Sequence, residues 1–101
     1  MRLQFMYDHV SHEGDIQTKI ARKIARLDKY LKHVSSDLRE GMVKLARGER
    51  FGYRVKVDLK VPGKIVVASD QDKNLLSAVD RVVAKLRQGV AKSLGKARRT
   101  T

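Results

Sequence analysis

Four residues near the start of the chain come closest to a reactive cluster. Asp8, His9, His12 and Glu13, in "YDHVSHEGD", combine two imidazoles with two carboxylates. Those side chains can hold a transition metal or move protons. Their spacing is loose, however, no third histidine is local, and His33 is remote in sequence. The segment reads as a polar turn. "VPGK" lacks the glycine spacing and the following Ser/Thr of a phosphate-binding loop. No Ser-His-Asp order stands out, and the two basic segments contain no paired carboxylates. The chain has no cysteine, which removes disulfides and thiolate ligands. The reading is a non-enzyme with no metal, no other cofactor and no small-molecule substrate.

The cations offer a different chemistry. The 101 residues carry a net charge of +12. Residues 16–34 hold six Lys/Arg against one acid, and residues 74–101 hold seven against one. Those two segments therefore account for +11 of the +12. Charge concentrated in this way calls for a polyanion, nucleic acid first and an acidic membrane surface second. Lys19, Arg22, Arg26 and Lys29 in the first segment, and Arg81, Lys85, Gln88, Lys92 and Lys96 in the second, are the candidate phosphate-gripping residues. Phe51, between Arg50 and Arg54, is a candidate for stacking on a base or, more plainly, for packing over a sheet edge. No apolar run approaches the roughly 18 residues that span a bilayer, and no signal-peptide core follows the N-terminus. The expectation is a cytoplasmic protein of bacterial type, without a membrane partner.

Elements that present those cations follow from the apolar spacing. Leu3, Phe5 and Tyr7 alternate with polar residues over 2–7 and predict a strand. Ile16, Ile20, Ile24, Leu27, Leu31 and Val34 fall within an arc of roughly 80° on a helical wheel. This predicts an amphipathic helix over 16–34, with Asp15 as candidate N-cap and its cations on the opposite arc. Further strands are predicted over 38–46, 53–61 and 65–69. The clearest is "YRVKVDLKV", with Tyr53, Val55, Val57, Leu59 and Val61 on one face. A second helix over 75–94 carries Leu75, Val79, Val82, Val83, Leu86 and Val90 as its apolar arc. Gly89 within it costs about 1 kcal/mol relative to alanine, so a close approach there is one explanation and a tolerated defect another. The order β-α-β-β-β-α predicts an α+β fold. A four-stranded sheet would carry two helices on one face, as in double-stranded RNA-binding domains, with strands one and two parallel. Residues 1–95 form one domain, and 96–101 a flexible basic tail.

Three stretches carry a family resemblance. "KIARLDKY" (23–30) is similar to the first-helix pattern K-L-x-K/R-L-x-K-aromatic of the ribosome hibernation factors. These are hibernation promoting factor and ribosome-associated inhibitor A (protein Y), also called the sigma-54 modulation family. "VKVDLKVPGKIVVAS" (55–69) resembles that family's third and fourth strands. "NLLSAVDRVVAKL" (74–86) resembles its second helix, through Leu75, Ala78, Val79, Asp80, Lys85 and Leu86. The chain departs from the pattern at Asn74, where Asp is usual, at Leu76 for Tyr, and at Gln88 and Gly89 for Arg and Gln. It also lacks the G-R-x-hydrophobic-x-T stretch before the first helix. The resemblance implies a short-form translation inhibitor, monomeric off the ribosome, that occupies the mRNA-tRNA channel of the small ribosomal subunit. It adds Lys23 to the rRNA-binding set. The rival expectations are a general double-stranded or structured-RNA binder without ribosome specificity, an RNA-processing enzyme using Asp8, His9 and His12, and a purely structural basic protein.

Overall fold

The computed structural model describes residues 1–10, 15–32, 34–35, 38–48, 50 and 52–99, with side chains of the last helix as far as Lys92. Its elements are strand β1 (Arg2–Asp8), helix α1 (Ile16–Ala25), a 3-10 helix (Arg26–Tyr30), strands β2 (Glu40–Arg47), β3 (Tyr53–Val61) and β4 (Lys64–Asp72), and helix α2 (Leu75–Arg99). The predicted order is observed. One four-stranded sheet runs β1-β2-β3-β4, with β1 and β2 parallel and the other pairs antiparallel.

The sheet is one-sided. On β2 and β3 Val43, Leu45, Val55, Val57 and Leu59 are almost fully buried against Ile20, Ile24, Leu27, Val79, Val82 and Leu86 of the helices. The alternate positions face away from the helices, because successive strand residues point to opposite faces. Both helices bury one stripe, so that stripe sets how each helix is rotated on the sheet. α2 lies over β3 and β4, and α1 packs beside α2. At the β1 side, the Tyr7 hydroxyl donates to Gln17 Oε1 at 2.8 Å.

The first helix differs from expectation. It is α-helical only to Ala25 and tightens to 3-10 over Arg26–Tyr30. Leu31 and Val34 remain buried, reached by turns in which Leu31 N–H donates to Asp28 O and Val34 N–H to Leu31 O. Apolar spacing of three and four is compatible with either helix type. The Arg39 guanidinium, bonded to Asp28 Oδ1 at 3.2 Å and to Val34 O at 2.8 Å, ties this segment to the start of β2. Asp15 sits at the N-cap of α1 but makes no side-chain cap bond.

Strand β4 continues to Asp72 and α2 to Arg99, both further than predicted. β3 and β4 are joined by Pro62-Gly63 alone, and Gly63 has φ +79°. A type II turn needs that value at its third residue, where glycine adopts it without penalty. Gly89 has a packing reason: a Cβ there would stand 2.6 Å from Val66 Cγ1. The close approach is to the sheet, and it lets α2 lie against β4.

Candidate nucleic-acid interface

The cations chosen from the sequence do not form one continuous ridge. On α2, Asp80 and the pair Arg81/Lys85 point to different neighbours. Asp80 Oδ1 accepts a hydrogen bond from Lys23 Nζ at 2.7 Å and bridges to α1. Arg81 and Lys85 turn the other way, over β4. Lys85 Nζ donates to Ser69 O at 3.0 Å and pairs with Asp70 at 3.2 Å. Arg81 lies 3.5 Å from Asp72 and 3.9 Å from Asp70. At about 100° per residue, Asp80 and Lys85 are about 140° apart around the helix, which explains the split.

These contacts sort the predicted residues. Lys23, 21% exposed, is an interhelical tie more than a free cation. Arg81 and Lys85, 60% and 53% exposed, keep surface in water but spend charge on Asp70 and Asp72. Lys19 is loosely paired with Asp15 at 3.9 Å. Lys29 lies 5.2 Å over the Tyr30 ring. Arg22, Arg26, Gln88 and Lys92 are exposed and have no ion pair among the described residues. The side chain of Lys96 lies outside the described residues, as do Phe51, His12 and Glu13 and the readings attached to them. His9 is exposed, in the left-handed region at φ 56°, and 3.4 Å from Asp8. Among the described residues no group of three His, Cys, Asp or Glu is placed to hold a metal.

Arg87 was not among the sequence candidates. It is exposed, without an ion pair among the described residues, and lies seven positions after Asp80, two helical turns along the stripe that faces α1. The i, i+7 relation to Asp80 is legible in the sequence. What hid it was the direction of Asp80, which only helix packing reveals. The exposed cations of the two helical segments that lack an ion pair among the described residues thus include Arg22, Arg26 and Arg87.

Asp70 is the most constrained acid of the set. The Gln71 backbone N–H, 2.8 Å from its Oδ1, is the chief cause holding its carboxyl below the usual range. Hydrogen bonding and charge from Lys85, then the charge of Arg81, add to this, and partial burial opposes it. Asp72 Oδ1 accepts from Asn74 N–H at 3.0 Å, and Asn74 Oδ1 caps α2 by accepting from Ser77 N–H at 3.1 Å. Asn serves as well as Asp in that capping role, so this departure leaves the helix start intact.

One sheet face covered by two helices, with arginines exposed on the helical segments, defines a small basic α+β domain. Over residues 3–98 the sequence matches the family described as Sigma 54 modulation protein / S30EA ribosomal protein, and the chain belongs to that family. Ribosome association is therefore its family's trait, and the family is not a known enzyme family. Two solved structures share the fold. The Thermus thermophilus Protein Y N-terminal domain superposes with a TM-score of 0.78 at 24% identity, covering 91% of this chain and 98% of that one. A ribosomal subunit interface protein from Coxiella burnetii gives 0.77 at 16% identity, covering 94% and 99%. A search of curated proteins gives no match. No helix among the described residues is long and apolar enough to cross a membrane.

Proposed function

We propose that this chain is a cytoplasmic translation inhibitor that binds the small ribosomal subunit in its mRNA-tRNA channel, gripping rRNA phosphates through its helices. The observation that carries the reading is the family match over residues 3–98, joined to Arg22, Arg26 and Arg87 standing exposed and without an ion pair among the described residues. The names of the fold neighbours, a Protein Y domain and a ribosomal subunit interface protein, agree with it. Lys92 extends the surface, and Lys19, Lys29, Arg81 and Lys85 add long-range attraction even where they are paired. Lys96, on the same helix, belongs to the proposed set on sequence grounds. Specificity would come from fitting the shape of folded RNA, since phosphate contacts position a protein without reading bases. Inhibition is steric: the domain occupies space that mRNA and tRNA need.

The test is co-sedimentation with purified small subunits at moderate salt, with an equal mass of generic duplex RNA as competitor. The wild-type protein should stay with the subunit, and R22E/R26E should be lost from it while keeping its fold. Loss of the wild-type protein to duplex RNA would favour the second reading, a general structured-RNA binder. Normal binding by R22E/R26E would remove the exposed face of the first helical segment as the site.

A further inference from the structure

The face of the sheet turned away from the helices carries an unused set of cations. Lys44 on β2 and Lys56 on β3 are direct register partners. Their Cα atoms are therefore about 5 Å apart, and like charges so placed weaken a sheet. Arg54 and Lys60 extend the strip along β3, spanning about 20 Å at the usual strand rise. None of the four has an ion pair or hydrogen bond among the described residues. Three acids share this face and offset the cations only in part. Glu40 stands opposite Lys60 in register but is held by Arg2, and Asp8, beside His9, borders the Arg54 end of the strip. Asp58, between Lys56 and Lys60, has Oδ1 buried without a partner.

The surroundings of the strip narrow its ligand. Met6, Ile65 and Val67, each more than half exposed, flank it on β1 and β4. Two shallow depressions lie along it. One of about 540 Å3 is lined in part by Met6, Asp8, Lys44, Arg54 and Lys56, and one of about 300 Å3 in part by Glu40, Met42, Asp58, Lys60 and Ile65. The aromatic side chains of the described strands, Phe5, Tyr7 and Tyr53, pack toward the core on the helix side. Among the described residues the face thus has no ring on which a base could stack, and it fits a sugar-phosphate backbone with aliphatic borders.

We propose that the open sheet face, through Lys44, Arg54, Lys56 and Lys60, is a second RNA-backbone site, so that the domain is held by RNA on both sides. The proposal rests on reading the chain as an RNA-binding member of its family, and its occupant is single-stranded or looped RNA bound without sequence preference. Unpaired cations opposed across two strands are a standing cost to folding, and phosphate binding relieves it.

The experiment is an amide NMR titration of the intact chain with a six-nucleotide oligouridylate at low salt. Two groups of resonances should shift, one on α1 and α2 and one on β2 and β3. K44E keeps the fold, because it places opposite charges across the Lys44–Lys56 register. It should weaken the sheet group about tenfold, lower its salt slope by roughly 1.4 for two lost phosphate contacts, and leave the helix group unchanged. D58N should tighten the sheet group about threefold by removing a repelling charge, a gain that damage to the fold cannot imitate. R22E/R26E should show the converse of K44E. Shifts confined to the helices, or a sheet affinity indifferent to K44E and D58N, would overturn the proposal while leaving the helix site standing. Tighter binding of the sheet group to a hexaglutamate peptide than to the oligonucleotide would also overturn it, in favour of an acidic protein partner. If the sheet group responds as expected and R22E/R26E changes nothing, the sheet site stands and the helix reading falls.

Discussion

The flank of α2 over β4 and the open face of the sheet use the same side chains in opposite ways. On the flank, Arg81 and Lys85 meet Asp70 and Asp72 at 3.2–3.9 Å, and Lys85 also reaches a backbone carbonyl. On the open face, Lys44 and Lys56 meet each other. The flank spends positive charge to attach a helix to an edge strand, whereas the open face leaves it unspent. A net charge of +12 therefore overstates the charge available on α2 and hides the charge available on the sheet. Counting cations by segment assigns most of the excess to the two helical regions, and that count is correct. It fails as a map of the binding surface because acids from a neighbouring strand fold onto α2.

Removing acids from the flank should have the largest effect on stability. Asp70 and Asp72 together accept two backbone N–H bonds and anchor Arg81 and Lys85. D70A/D72A should cost about 1–2 kcal/mol, the sum of two modest hydrogen bonds and a half-exposed ion-pair cluster discounted for solvent. Chemical denaturation would measure it. The same variant frees Arg81 and Lys85, so its affinity for oligouridylate at low salt should rise. A stability loss with no gain in affinity would mean that these cations face away from any bound RNA.

Acid should reproduce part of that loss in the wild type. The folded-state carboxyl of Asp70 sits below its ordinary value of 3.8. Its contribution is therefore fully present above the unfolded value and is lost as pH falls through the lower folded one. Thermal stability of wild type and D70N should run parallel from neutral pH to about pH 5 and converge below about pH 4. Curves that stay parallel into strong acid would show that Asp70 is no more constrained in the fold than in the unfolded chain.

Much of the fold was legible because its signals are local. Strict alternation over 53–61 set β3 to the residue, and the apolar periods of the two helices identified nearly every side chain that the helical segments contribute to the core. The helix break at Ala25 was not legible, because spacing by three and four suits both helix types and the choice depends on Arg39 reaching back to Asp28 and Val34. The end of β4 was missed since "DQD" looks like a helix cap; Asp70 and Asp72 instead stay in the strand and take up the α2 cations. For the site, Arg22 and Arg26 were correctly placed outside the core. The occupation of Lys23 and Arg81, the availability of Arg87, and the Lys44–Lys56 pair all depend on packing or register. A one-residue change of register would have opposed different residues, so no reading of β2 or β3 alone could find that pair.

The smallest effect should be the most discriminating. Neutralising one lysine of the opposed pair removes a repulsion and breaks no ion pair or hydrogen bond among the described residues. K56Q should therefore raise stability, by about 0.2–0.5 kcal/mol at low ionic strength, the scale of a like-charge cross-strand pair. Most substitutions at structural positions lower stability, so the sign alone separates the two regions. Salt sharpens the test. Screening shortens to about 3 Å at 1 M ionic strength, so the gain from K56Q should fade as salt is raised, as should part of the loss from D70A/D72A. The two differences from wild type would then shrink from opposite signs, the K56Q gain toward zero and the D70A/D72A loss toward the share its hydrogen bonds contribute. A K56Q variant less stable than wild type at every salt concentration would show that Lys56 supports the sheet through its aliphatic stem, and the contrast between spent and unspent charge would fail at its central residue.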